Sequence, residues 1–242
     1  MLRIIDARTG EPVDATTTGR GLTCVEAHAP ALDATALRVL LVADVLVRAL
    51  ELGGTPVWGL LSGDRERAEL GAAAAALGIR PFEDRHEAAA GLGERQVVHV
   101  VQEGGARPDG VRVAVAPVHG RGLPDDVPDD DPAVLRLALL SRPRNLPARL
   151  DDAALGEARD TLARWRRAVA GWARHPSRPV PEEVRGRLRT AWEDDLDLPS
   201  VLRVLRQVET GPDLPDGARF ETYAYADRLL GVDLARDLGA PE

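Results

Sequence analysis

The sequence predicts an α/β domain built on a parallel sheet, followed by an all-α helical bundle domain. Three observations carry this. In the first half, short apolar runs rich in valine alternate with stretches of helical period, the pattern of strand–helix–strand units. From Ala133 onward every patterned stretch has helical period. Between the two halves lies Leu123-Pro124-Asp125-Asp126-Val127-Pro128-Asp129-Asp130-Asp131-Pro132, whose acidic, proline-rich composition suits an exposed linker. The expected division is therefore 1–122, a linker at 123–132, and 133–242.

Leu2–Asp6 is the first strand candidate, and Gly10-Glu11-Pro12 forms a turn. Gly21–Val25 is a second short strand, ending near Cys24. Asp33 is a good N-cap for a helix running to about Leu52, with Leu37, Leu40, Leu41 and Val45 at helical spacing and Gly53-Gly54 closing it. Thr55–Leu61 is a strand and about Asp64 to Leu77 a helix. Val97–Val101 and Val111–Val115 are two further β-branched strands. In the second half Pro132–Ser141 is a short apolar helix. Asp151–Arg174 places Leu155, Ala158, Leu162, Trp165, Val169 and Trp172 on one face, a bundle-packing stripe. Glu182–Asp194, Pro199–Val208 and Phe220–Leu230 complete the helices; Pro199 fits a first turn, and Phe220, Tyr223 and Leu230 face inward.

Composition bounds the function. All 31 Lys+Arg residues are arginine, so no chemistry that needs a lysine is available. A GC-rich coding bias accounts for such a composition, but the chemical consequence stands whatever its origin. Hydrophobic residues at 44% supply a core, and aromatics at 3% leave it to Leu, Val and Ala. No apolar run approaches the roughly 18–20 residues of a membrane helix, and the first residues lack a signal-peptide layout; the expectation is a soluble cytoplasmic protein. The net charge of −8 opposes indiscriminate nucleic-acid binding. Val134–Thr190, however, carries 13 Arg against 6 acidic residues, net +7, leaving −15 elsewhere.

Several motifs invite a site. Cys24, near the end of a predicted strand, lies where ligands gather in α/β domains, with His28 four residues on. A buried inert thiol is the plainer reading of Cys24, since its being the sole cysteine rules out a disulfide and a Cys-rich zinc site. His28, His86, His99, His119 and His175 show no metal-ligand spacing and read as surface or structural histidines. A P-loop is excluded without lysine, and there is no Gly-x-Ser-x-Gly elbow. Gly91, Gly93, Gly104 and Gly105 read as turns, while His119-Gly120-Arg121-Gly122 could approach an anion. Glu193-Asp194-Asp195-Leu196-Asp197 reads as a solvated helix end rather than a metal site.

Taken together these segments resemble the cysteinyl-tRNA synthetase family and its relative, the cysteine ligase of mycothiol synthesis. The resemblance rests on Leu2–Glu11, Arg38–Leu46, Ala133–Ser141, Leu155–Val169 and Trp192–Leu205 in family order, with about Gly63–Gly122 poorly matched. It implies a reduced, Rossmann-like class I synthetase catalytic domain and a helical domain without an anticodon-binding extension. Register places the family's zinc-binding cysteine on Cys24, while its other ligands belong to a segment missing here. The HIGH tetrapeptide, whose histidines help hold ATP phosphates at a helix N-terminus, falls on Asp33, Ala34, Thr35 and Ala36. The lysine-bearing KMSKS loop has only Val118-His119-Gly120-Arg121-Gly122 as a counterpart. Losing one group of this kind typically costs about 10²–10³ in rate.

The resemblance thus implies a paralogue without catalysis, kept as a binding or regulatory protein, with neither ATP nor zinc as cofactor. Two alternatives stay open. One is an amino-acid-activating ligase of altered chemistry using Cys24, His28, Asp33, His119 and Arg121 as pocket residues, with ATP or zinc. The other is a tRNA-binding module using Arg159, Arg164, Arg166, Arg167 and Arg174. The expected partner is accordingly a protein or tRNA, with no membrane.

Overall fold

A computed structural model describes residues 1–16, 22–63, 66–85, 95–120, 123 and 131–239, with Arg95 through its backbone alone. Its centre is a five-stranded, all-parallel sheet. In chain order the strands are β1 (Arg3–Ile5), β2 (Pro12–Asp14), β3 (Leu22–His28), β4 (Val57–Ser62), β5 (Glu83–Asp84), β6 (Arg95–Gln102), β7 (Val111–Val115), β8 (Val118–Gly120) and β9 (Ala148–Leu150). The central sheet has the order β5-β4-β3-β6-β7; β1 pairs antiparallel with β2, and β8 pairs parallel with β9. The helices are α1 (Ala34–Leu52), α2 (Arg67–Ala76), α3 (Pro132–Leu140), α4 (Asp152–Trp172), α5 (Glu182–Glu193), α6 (Leu198–Thr210) and α7 (Asp216–Leu230).

The Rossmann-like α/β reading therefore holds for the first half. Helix α1 crosses from β3 to β4 and α2 from β4 to β5, building the sheet outward on one side of β3. The chain then returns to place β6 on the other side of β3, so strand order reverses between β3 and β6. Side chains alternate across a strand. Val25 and Ala27 of β3 therefore enter the core beneath α1, while Cys24, Glu26 and His28 stand on the opposite face.

Four short strands, β2, β5, β8 and β9, have no counterpart in the sequence pattern. Each is two or three residues long and exists through its partner rather than through an apolar run. The second predicted strand is also longer than expected: β3 continues past Val25 to His28, leaving Cys24 inside it. The Asp64 end of the predicted α2, and most of the acidic stretch, lie outside the described residues. Asp131, assigned to that stretch, caps α3 by accepting from Ala133 N at 3.0 Å and pairs with Arg166 and Arg236.

Helix α1 is buried along most of its length, as a helix enclosed by other elements must be. It lies on the sheet and also packs against α7. Two of its buried residues are charged, and both reach into the second half. Arg38 donates to the carbonyls of Ala116 at 2.9 Å, Leu146 at 2.8 Å and Pro143 at 2.7 Å. Asp44 meets Arg136 of α3 at 2.7 Å, Arg48 at 2.8 Å and Arg80 at 3.2 Å. Further on, α4 packs on α3 and α7, and α5 on α6. Tyr223 stands edge-on to Trp165 and Trp172, with its hydroxyl bonded to Leu205 O at 2.9 Å. The hydrophobic core is continuous from the β3–β6 region through α1 into these helices.

Candidate functional site

Two places merit attention, because ligands in open parallel sheets bind beyond the carboxyl ends of the strands where strand order reverses. One is the N-terminus of α1, which follows β3. The other is the β3–β6 crevice itself.

At the first, the segment Asp33, Ala34, Thr35 and Ala36 does begin a helix. Two amides there already have carboxylate partners. Asp33 Oδ1 accepts from Ala36 N at 2.7 Å, and Glu66 Oε2 accepts from Leu32 N at 3.2 Å. Two carboxylates thus sit where a helix N-terminus would otherwise attract an anion. Thr35 is buried, and its Oγ1 accepts from Val118 N at 3.1 Å. That bond brings the predicted phosphate helix and the predicted loop strand together. His119 on β8 is exposed, and Arg121 and Gly122 lie outside the described residues.

Cys24 is not at a strand end. It is fully buried within β3, opposite Trp58 of β4 and Val97 of β6. The sequence holds no second cysteine, which the family's zinc set requires.

The β3–β6 crevice is different. Parallel register sets Glu26 of β3 opposite His99 of β6, and His28 opposite Ser62 of β4. His28 Nε2 and His99 Nδ1 are 3.1 Å apart. Glu26 presents Oε1 to His28 at 3.6 Å and Oε2 to His99 at 3.4 Å. Ser62 Oγ donates to Glu26 Oε1, and Arg85 Nη1 donates to the same oxygen at 2.8 Å. Glu26 and His99 are buried, and His28 is partly exposed. Burial alone would raise the Glu26 pKa. The bonds from His99 and Ser62, with the charges of His28 and Arg85, outweigh it and hold the carboxyl at about 2, below its ordinary 4.5. Burial pushes the His28 imidazole below its ordinary 6.5, against the pull of the Glu26 carboxylate.

Sequence reasoning treated His28 and His99 as unrelated and passed over Glu26, Ser62 and Arg85. A signal was present. Cys24, Glu26 and His28 alternate along one strand, and His99 interrupts an otherwise apolar strand. Among the other histidines, His86 lies outside the described residues and His175 is exposed near Asp216. Glu193–Asp197 is no solvated end. Asp195 accepts from Ile5 N at 2.8 Å and pairs with Arg144, while Asp197 caps α6 through Ser200 N at 3.0 Å.

The arginines assigned to tRNA divide. Arg159, Arg164, Arg167 and Arg174 are exposed along or just beyond α4, with Arg164 paired to Glu209 at 2.9 Å. Arg166 is buried instead, donating to Asp233 O and Val232 O at 2.9 Å and to Asp131. It faces the protein, because the α4 stripe packs on α7 there.

No family model matches the chain. Curated relatives do. An L-cysteine:1D-myo-inositol 2-amino-2-deoxy-alpha-D-glucopyranoside ligase of Streptomyces griseus is 41% identical over 110 residues, covering 43% of this chain and 25% of the ligase. The ligases of the same name from Tsukamurella paurometabola and Parafrankia sp. are 39% and 37% identical over 108 and 113 residues, covering 42% and 43% of this chain and 25% and 24% of theirs. The chain thus spans about a quarter of the length of the curated relatives it matches. The resemblance to a cysteine ligase read from the sequence is found in these relatives. No described helix is long and apolar enough to cross a membrane.

Proposed function

We propose that this chain is a non-catalytic relative of the cysteine ligases, acting in the cytoplasm as a binding or regulatory protein, with its later helices as a bundle domain. The observation that carries this reading is the closed N-terminus of α1. Asp33 fills it with its own carboxylate, and Glu66 adds a second. A triphosphate arriving there would meet two negative charges, with the Ala36 and Leu32 amides already bonded to them. Ala34 and Ala36 offer no side-chain donors, and the chain has no lysine to stabilise a transferring phosphate. The test is ATP–pyrophosphate exchange across the twenty amino acids, together with equilibrium ATP binding. Neither exchange nor saturable ATP binding is expected. Exchange with any amino acid would overturn the proposal.

The identity of 35–41% to named ligases favours a second reading, an amino-acid ligase of altered chemistry. The same exchange assay decides between the two. Under the first reading the partner is a protein; a tRNA partner would use Arg159, Arg164, Arg167 and Arg174, and its binding would weaken steeply as salt rises.

A further inference from the structure

We propose that Glu26, His28 and His99 bind one divalent transition-metal ion of the zinc class at the point where strand order reverses. The donor chemistry is that of such sites. Two imidazole nitrogens and a carboxylate suit zinc, cobalt or nickel, whereas magnesium and calcium prefer all-oxygen shells.

The geometry fits a tetrahedral ion. The three donor pairs are separated by 3.1, 3.4 and 3.6 Å. Zinc bonds of about 2.0–2.1 Å to nitrogen and oxygen place neighbouring ligands of a tetrahedron about 3.3 Å apart. The two Glu26 distances are to different oxygens. With one oxygen per carboxylate the three donors lie within 4.8 Å of one another, so a small rotation of the carboxylate closes them into one face of a coordination tetrahedron. The fourth corner is left for water or a ligand, the arrangement of reactive rather than purely structural zinc sites.

The site is also built. All three ligands stand on adjacent central strands whose register is set by backbone pairing. A supporting bond from Ser62 fixes the Glu26 carboxylate, as outer-shell groups do around metal ligands. When both imidazoles are neutral, His28 Nε2 and His99 Nδ1 can share only one proton between them; a metal ion replaces that proton and uses both lone pairs. His28, with 12% of its side chain exposed, marks the route of entry. Arg85 opposes a dication by its charge, but its side chain is 45% exposed and can turn outward. The site shares no residue with the position the synthetase resemblance assigns to zinc, and it stands independently of the non-catalytic reading.

The test titrates the metal-free full chain with Co²⁺ in the absence of ATP. One equivalent should bind with visible absorption bands of a tetrahedral nitrogen–oxygen site, be displaced by Zn²⁺, and be unaffected by millimolar Mg²⁺ or Ca²⁺. His28→Ala and His99→Ala should each weaken binding at least a hundredfold and Glu26→Gln at least tenfold. His119→Ala and His175→Ala should leave it unchanged. Arg85→Ala should tighten it several-fold. Each variant is compared after circular dichroism shows it folded. X-ray absorption on the wild-type zinc protein supplies a readout that needs no variant, expected to show two imidazoles and no sulfur. The proposal is overturned by the absence of stoichiometric binding, by binding that survives in both His28→Ala and His99→Ala, or by a sulfur ligand from Cys24.

Discussion

Asp44 and Glu26 are both carboxylates buried beside arginine, one on α1 and one on β3, yet they sit in opposite kinds of surroundings. Asp44 is enclosed by Arg136, Arg48 and Arg80, and Arg136 also donates to Leu230 O at 2.6 Å and Leu77 O at 3.0 Å. Every member there is a permanent donor or a saturated acceptor. Burial would raise the Asp44 pKa, but Arg136 and Arg48 hold it below its ordinary range. Such a cluster can join α1 to α3 and α7 but has no lone pair left to give. Among the described residues Glu26 has one arginine partner, the partly exposed Arg85, and two imidazoles. Imidazole can accept, donate or ligate. The difference teaches that burial of charge is not itself a sign of function; the chemistry of the partners decides.

The comparison can be broken first at Asp44. Arg136→Met leaves a buried carboxylate without its closest partner, and removing one member of such a pair costs about 3–5 kcal/mol. Urea unfolding should show that loss, the largest here, while Co²⁺ binding by the surviving folded protein should not change. Next comes acid. The folded Glu26 carboxyl titrates at about 2 against an ordinary 4.5. Its contribution is therefore full above pH 4.5 and is lost as pH falls from 4.5 towards 2, of order 3 kcal/mol by linkage. Glu26→Gln should show a shallower decline in that window, measured by urea midpoints from pH 6 to 2.5; an identical decline would mean that Glu26 is not held down. Asp33→Ala removes the α1 cap and should cost about 1 kcal/mol. Smallest of all, Arg164→Ala, which breaks an exposed pair with Glu209, should change stability by less than about 0.5 kcal/mol by thermal or urea unfolding.

The longer elements were legible where local pattern suffices. Helix α1 has the predicted cap and end, and α4 buries the predicted stripe from Leu155 to Trp172. Strand β3 was read three residues short, because Glu26 and His28 look like the polar end of a strand. They are tolerated inside it because they face away from α1 and bond to each other's neighbours across the sheet. Arg166 was misassigned for the converse reason: a charged residue on a helix reads as exposed until a neighbouring helix is packed over it.

By itself the sequence determined the chemical inventory, an arginine-only cationic set with one cysteine, and the periods of the long helices and central strands, since both depend on residue identity and near neighbours. Only tertiary structure decided which residues meet. His28 and His99 are 71 positions apart and touch because β6 returns beside β3 in parallel register. Asp44 and Arg136 are 92 apart and meet because α1 is buried between the sheet and the later helices. Contacts of that span are set by chain topology and core packing, which no local window of sequence contains.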